Sequence, residues 1–244
     1  MRNLSANPEK QSDVTINSSE TITRPKSRLR KIMLALVAVI IVISAWAAVD
    51  LFGPRSSSLR QFDANEVARL ETAMWRSYYD KHRFRLFRQL AELLRTQYRM
   101  PFFRSNVVAY QAAKAAFVFK EGHGRNDYEE ALPNLVKFYA AIHQVGGVNF
   151  EVEKAAKLEL EWWIIHRERQ THTRADLDRA LAELAAEVYR VPAERLMEHA
   201  RLRAEAMLIR DDLAEAGGVT EADWKKIDEL LHASWQSLWK AVNA

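Results

Sequence analysis

The sequence predicts an all-α protein: a single N-terminal transmembrane helix, then an antiparallel helical bundle or array of about seven helices arranged as hairpins. Three observations predict it. Residues 32–49 form an 18-residue run without a charge. Only seven glycines and six prolines interrupt 244 residues, below the usual share of chain breakers. Beyond the run, apolar residues recur at helical spacing between residues that cap helices.

Residues 1–31 are rich in Ser, Thr and Asn and carry almost no large apolar side chains. Such a segment cannot bury enough surface to fold and reads as a disordered tail. It ends in Arg24, Lys26, Arg28, Arg30 and Lys31. The run that follows, at about 1.5 Å per residue, is long enough to cross a hydrocarbon core of about 30 Å. Residues 32–52 therefore read as a membrane anchor, with Ile32, Leu36 and Ile40 in its apolar body and Trp46 near the interface, where an amphipathic ring is favoured. Cations beside a span are retained in the cytoplasm. The expected topology is single-pass in a bacterial inner membrane, N-terminus cytoplasmic and the remainder periplasmic. The alternative is a cleaved signal peptide reading Ala45 and Ala47. The long tail before the run, and the continuation of the run through Val49, favour an uncleaved anchor.

About 190 residues remain, enough for one well-cored domain. The chain has a formal net charge of +4. Residues 1–52 hold seven Lys and Arg against four Asp and Glu, so the domain itself is close to neutral. Its charge gives no case for nucleic-acid binding. There are no cysteines, which removes disulfides, thiolate metal sites and a Cys nucleophile.

Residues 53–62, opening Gly53-Pro54-Arg55-Ser56-Ser57-Ser58, read as a flexible linker, and residues 63–244 as the exported helical domain. Asp63 with Glu66 opens a first helix that runs to about Arg99, before Pro101. Its stripe of Val67, Leu70, Met74 and Tyr78 rotates to Phe87, Leu90 and Leu94, which predicts a kink or supercoil near Asp80. A second helix spans 106–121, closed by Gly122. A third spans 127–145 after Asn126, with Pro133 predicting a kink or a later true start. The fourth spans 149–170. The fifth, 173–190, is capped by Thr173 with Asp176. The sixth, 192–216, starts at Pro192, and the seventh, capped by Thr220 with Asp223, runs to the end. Helices two to seven pair as hairpins starting 43 residues apart, at 106, 149 and 192, without visible self-similarity.

Two groups of residues carry chemistry. On the fourth helix Val152, Ala155, Ala156, Glu159, Trp163 and His166 share one stripe, so Glu159 and His166 are expected to point inward. Trp163 is expected to be buried and Trp162 more exposed. On the first helix Glu71 and His82 flank the stripe that ends in Tyr78. Carboxylates and imidazoles inside a bundle can hold a divalent metal ion, so Glu71, His82, Glu159 and His166 are candidate ligands. The chain has a single Glu-x-x-His pair, Glu229 to His232, on a polar flank. The simpler expectation is a structural network, with no cofactor, in which a carboxylate pairs with an arginine. Glu71, Tyr78, His82 or a first-helix arginine are the expected partners of Glu159 and His166.

The second group is basic and aromatic. Arg76, Lys81, Arg83, Arg85 and Arg88 are interleaved with Trp75, Tyr78, Tyr79, Phe84 and Phe87. They are candidate contacts for a protein partner or for anionic lipid. The alternative is that they pair within the domain, with Glu151, Glu153, Asp176, Asp178, Glu183 and Glu187. No serine sits in a nucleophile elbow, and Gly122-His123-Gly124 follows no strand, so it is no phosphate loop. The function expected is that of an anchored interaction or scaffold protein of the cell envelope, with an enzymatic role left open. Its partners would be lipid through the anchor and another envelope protein, with self-association open. The alternative is a metal-dependent bundle enzyme.

Overall fold

Where the sequence suggests one long helix over residues 63–99, the chain instead folds back on itself. The computed structural model describes residues 26–54 and 57–244. The chain forms two units, Met1–Ala45 and Trp46–Ala244. The first holds most of helix α1 (Lys26–Phe52), which begins inside the basic stretch. Residues 26–31 are therefore helical, and the remainder of the expected coil lies outside the described residues. Within Arg28–Phe52 an 18-residue window reaches a mean hydropathy of 2.9, and the helix is long and apolar enough to cross a membrane. Ile32, Leu36 and Ile40 lie exposed along it, as an anchor requires.

The second unit is helical throughout, and no strand occurs among the described residues. Its helices are α2 (Ala64–Tyr79), α3 (Arg83–Tyr98), α4 (Phe102–Glu121), the short α5 (Arg125–Glu129), α6 (Leu132–Gly146), α7 (Val152–Arg167), α8 (Arg174–Tyr189), α9 (Met197–Glu215) and α10 (Glu221–Asn243). The three expected hairpins are present as α4/α6, α7/α8 and α9/α10. The expected first helix is a fourth hairpin, α2/α3.

The reversal between α2 and α3 is a helix stop built without glycine. Lys81 takes the left-handed conformation, with φ 60°. The His82 N–H donates to the Ser77 carbonyl at 2.9 Å and the Lys81 N–H to the Tyr78 carbonyl at 3.2 Å. These two bonds satisfy the carbonyls left open at a helix end, the job usually given to a glycine. Arg99 and Arg190 take the same left-handed conformation after α3 and α8, with φ 51° and 52°, and the Arg99 N–H donates to the Leu94 carbonyl. The drift of the apolar stripe at Asp80 is the sequence trace of this reversal.

Pro133 sits in the first turn of α6, where its missing N–H costs nothing, so it marks a true start and not a kink. Both capping boxes form, Thr173 with Asp176 and Thr220 with Asp223. Pro192 precedes a 3-10 turn, Ala193–Leu196, that leads into α9.

Successive long helices pack side by side, and α10 returns to pack on α2, so the eight long helices close into a ring. The chain runs alternately up and down. One end gathers the strap at Ser57–Phe62, the ends of α3, α6, α8 and α10, and the start of α4. There Ser57 donates to the Val145 and Tyr98 carbonyls, Arg60 to the Tyr189 carbonyl, and Asn243 to the Arg60 carbonyl. The opposite end gathers the 80–82, 122–124, 168–173 and 216–220 turns. There Arg167 donates to the Phe119 carbonyl, Arg76 pairs with Glu221, and Arg169 pairs with Glu215.

The expected flexible linker is a clamped strap over its described part, residues 57–62. The Ser57 and Leu59 N–H groups donate to the Val145 and Gly146 carbonyls, and Leu59 and Phe62 are buried. Leu59 lies so close over Gly146 that no side chain fits at that position. The last turn of α1 is fixed as well. Asp50 is buried, and its carboxylate accepts the Phe103 and Arg104 N–H groups at 3.1 and 3.2 Å. It caps α4 from 53 residues upstream, which explains why α4 starts at Phe102 and not at 106. Arg104 donates to the Gly53 carbonyl, and Trp46 packs edge-on against Phe103.

Candidate functional site

Glu71 is inward-facing, as its place in the α2 pattern suggests, and its carboxylate is saturated. Arg203 on α9 donates to it through Nε and Nη2 at 3.0 and 2.8 Å. The Trp235 indole on α10 donates to the other oxygen at 2.5 Å. Glu159 on α7 also faces the interior. It accepts the Tyr139 hydroxyl at 2.7 Å and the Trp163 indole N–H at 2.9 Å. Arg203 is the group the two carboxylates share. Burial opposes its charge, but Glu71 and then Glu159 overcome this and hold it more firmly protonated than an ordinary arginine. The Trp162 ring lies under its guanidinium, 5.3 Å away. Burial, and then Glu159, push the Tyr139 hydroxyl well above its usual range.

The four candidate metal ligands do not converge. His82 lies exposed at the α2–α3 reversal. His166 turns to α9, where its Nε2 is 3.0 Å from the Asp211 carboxylate. Asp211 is also held by Arg210 at 2.8 Å. Burial raises its pKa, but His166 and Arg210 outweigh that and hold it below the ordinary carboxylate range. Among the described residues no group of three or more His, Asp and Glu side chains is placed to hold a metal. The donors around Glu71 and Glu159 are arginine, tyrosine and tryptophan, which complete a structural network.

The carboxylate–arginine pair expected of the interior is present as Glu71 with Arg203. Three other expectations are corrected. Glu159 is bonded by Tyr139 and Trp163 and His166 faces Asp211, and neither uses Glu71, Tyr78, His82 or a first-helix arginine. Tyr78 is 49% exposed, and its neighbour Tyr79 is the inward residue, under the Arg210 guanidinium. Burial, and then Asp211, raise the Tyr79 pKa to about 12. Trp162 and Trp163 are both half-buried, because α7 lies between α6 and α8 and buries more than one stripe: Ala155, Ala156, Leu160, Ile164 and Ile165.

A buried Ser–His pair escaped the sequence reading. Ser234 Oγ is 2.8 Å from His199 Nδ1 and donates to the His199 carbonyl. Both residues are sealed, at 0% and 6% exposure, so no substrate reaches them. Burial, and then Arg203, push the His199 pKa down to about 3.

The basic group divides. Arg76 is consumed inside the domain by Glu221 at 2.8 Å and by the Trp224 ring beneath it. Lys81, Arg83, Arg85 and Arg88 are exposed at the reversal and on the first turns of α3, and none has a salt-bridge partner among the described residues. Three of the acidic residues expected to neutralise them are engaged elsewhere. Glu187 takes Lys154 at 2.8 Å and Arg190 at 3.0 Å. Asp178 takes Arg174 at 2.8 Å, and Asp176 is spent in the capping box. Phe84, in the midst of the cations, is 91% exposed. Phe84, Arg85 and Arg88 line a cleft of about 410 Å³ against Leu70 and Ala73 of α2.

No family model, no curated protein and no solved structure matches the chain.

Proposed function

We propose that the chain is a single-pass interaction protein of the cell envelope, anchored in the inner membrane by α1, with its helical domain in the periplasm binding another envelope protein. The observation that carries this reading is the contrast in how charges are used. The interior carboxylates are saturated, while four cations and a phenylalanine at one end of the ring are left without partners. Exposed apolar side chains set among arginines are what protein interfaces are made from. The five cations at 24–31 before the span, against Asp50, Arg55 and Arg60 after it, support the orientation.

Two measurements test the reading. An alkaline phosphatase fusion at Ala244 should be active and a fluorescent-protein fusion there dark; the opposite pattern overturns the topology. Chemical crosslinking of intact cells should return a specific protein neighbour of the full chain. Return of none overturns the interaction role.

A further inference from the structure

We infer that the end of the α2–α3 hairpin, formed by Lys81, Arg83, Phe84, Arg85 and Arg88, is the docking surface and that its partner is an acidic protein segment carrying an apolar side chain. This rests on the interaction role above and adds the place and the chemistry.

The charge argues first. Four cations lie within eight residues, 81–88, and no carboxylate of the described residues bridges them. Like charges so placed repel, and a fold under no other demand would intersperse acids, as it does elsewhere on its surface. Arginine supplies three of the four, and its planar fork matches a carboxylate bidentately. The second argument is Phe84. A 91% exposed ring contributes nothing to the core, whereas covering it would be worth about 1.5–3 kcal/mol. The cleft beside it has Leu70 and Ala73 as its apolar floor and Arg69, Gln89 and Glu92 along its rim, so it has room for one apolar side chain from the partner beside polar groups. The third is rigidity. The left-handed stop at Lys81 and its two backbone bonds hold the cations on an ordered turn, so little ordering cost remains for binding.

Charge and shape fix the occupant. Arginine forks pair at two points with carboxylates, and the exposed Phe84 ring beside them takes an apolar side chain, so an acidic protein segment is the occupant that fits.

The test places a photo-crosslinking phenylalanine analogue at Phe84 in the full chain, in its own membrane, with a control analogue at exposed Trp239 near the strap end. The expected result is a protein adduct from position 84 whose crosslinked peptide is net acidic. Its yield should fall about tenfold with Arg83→Glu, Arg85→Glu and Arg88→Glu together, and by a smaller factor with Arg83→Lys, Arg85→Lys and Arg88→Lys, which keep the charge and lose the fork. In isolated membranes the unsubstituted tip should lose yield several-fold between about 0.1 and 0.5 M salt; this arm needs no charge variant and so does not depend on one folding. An adduct to phospholipid alone, an adduct on a neutral or basic peptide, indifference to charge reversal, or no adduct from position 84 would each overturn the inference. If intact-cell crosslinking still finds a neighbour in such a case, the interaction role stands and only the docking surface is wrong. If neither finds one, both are wrong.

Discussion

The interior of the helical ring and the end of its α2–α3 hairpin use the same residue types to opposite effect. Inside, Arg203 is enclosed by Glu71, Glu159 and Trp162, and the carboxylate oxygens all have donors. At the hairpin end Lys81, Arg83, Arg85 and Arg88 have no such partners, and Phe84 lies bare among them. A buried charge must be matched or the fold fails, so saturation inside reports on stability. An exposed charge need not be matched, and the cluster left unmatched among the described residues around an exposed ring is the ground of the proposed docking surface.

That contrast can be broken at its strongest point. Replacing Arg203 by Met leaves Glu71 and Glu159 without their shared cation, and unfolding of the full chain in detergent should become easier by about 3–5 kcal/mol. Adding Glu71→Leu to that variant should recover part of the loss, because a matched apolar pair is tolerated where a lone charge is not. An Arg203→Met chain as stable as the parent would mean that the interior network is not structural. Glu159→Gln, which keeps the shape and removes the charge, should cost less, about 1–3 kcal/mol.

His199 sharpens the same point by pH. Its imidazole is neutral when folded, with a pKa near 3 against an unfolded value of 6.5. Between those values the unfolded chain binds the additional proton. Stability should therefore fall as the pH drops below 6.5, by up to about 1.4 kcal/mol per pH unit, or about 2 kcal/mol by pH 5. The depressed carboxylates Asp211 and Glu187 act lower, losing their contribution only as the pH falls through their folded values. Denaturation curves at pH 6.5 and 5 should thus differ in the parent and coincide in His199→Gln.

At the strap end, Asp50→Ala removes the cap of α4 and should cost about 1–2 kcal/mol. A smaller change of opposite sign is expected at the reversal. Lys81 holds a conformation that glycine adopts freely, so Lys81→Gly should stabilise by about 0.5–1 kcal/mol while removing one cation from the tip. A destabilised glycine variant would show that the lysine side chain makes a structural contact.

How far the sequence could be read follows from which signals are local. Thr173 with Asp176 and Thr220 with Asp223 announce their helices because both halves of each cap lie within one turn. The inward placement of Glu71 and Glu159 was readable from helical periodicity alone. The Lys81 stop was missed because the position that usually carries glycine carries lysine, and only the rotated stripe betrayed it. The strap reads as a linker because Gly53, Pro54 and the serines dominate it, and the burial of Leu59 and Phe62 depends on α6 and α10 far along the chain. What could not be read was any partnership across the ring. Arg203 is 132 residues from Glu71, and Asp50 caps a helix 53 residues away, and no spacing rule links them. The missing neutralisation of Lys81 to Arg88 was equally hidden, since acids enough for them exist in the sequence and only the fold shows three engaged elsewhere.

The central claim is that interior charge holds the fold and hairpin-end charge meets a partner. It is tested most directly by measuring two properties of one variant, Arg83→Glu with Arg85→Glu and Arg88→Glu. The account predicts an unfolding free energy within about 0.5 kcal/mol per substitution of the parent, together with loss of the protein adduct formed at position 84. Undiminished crosslinking, or a loss of stability comparable with that of Arg203→Met, would contradict it.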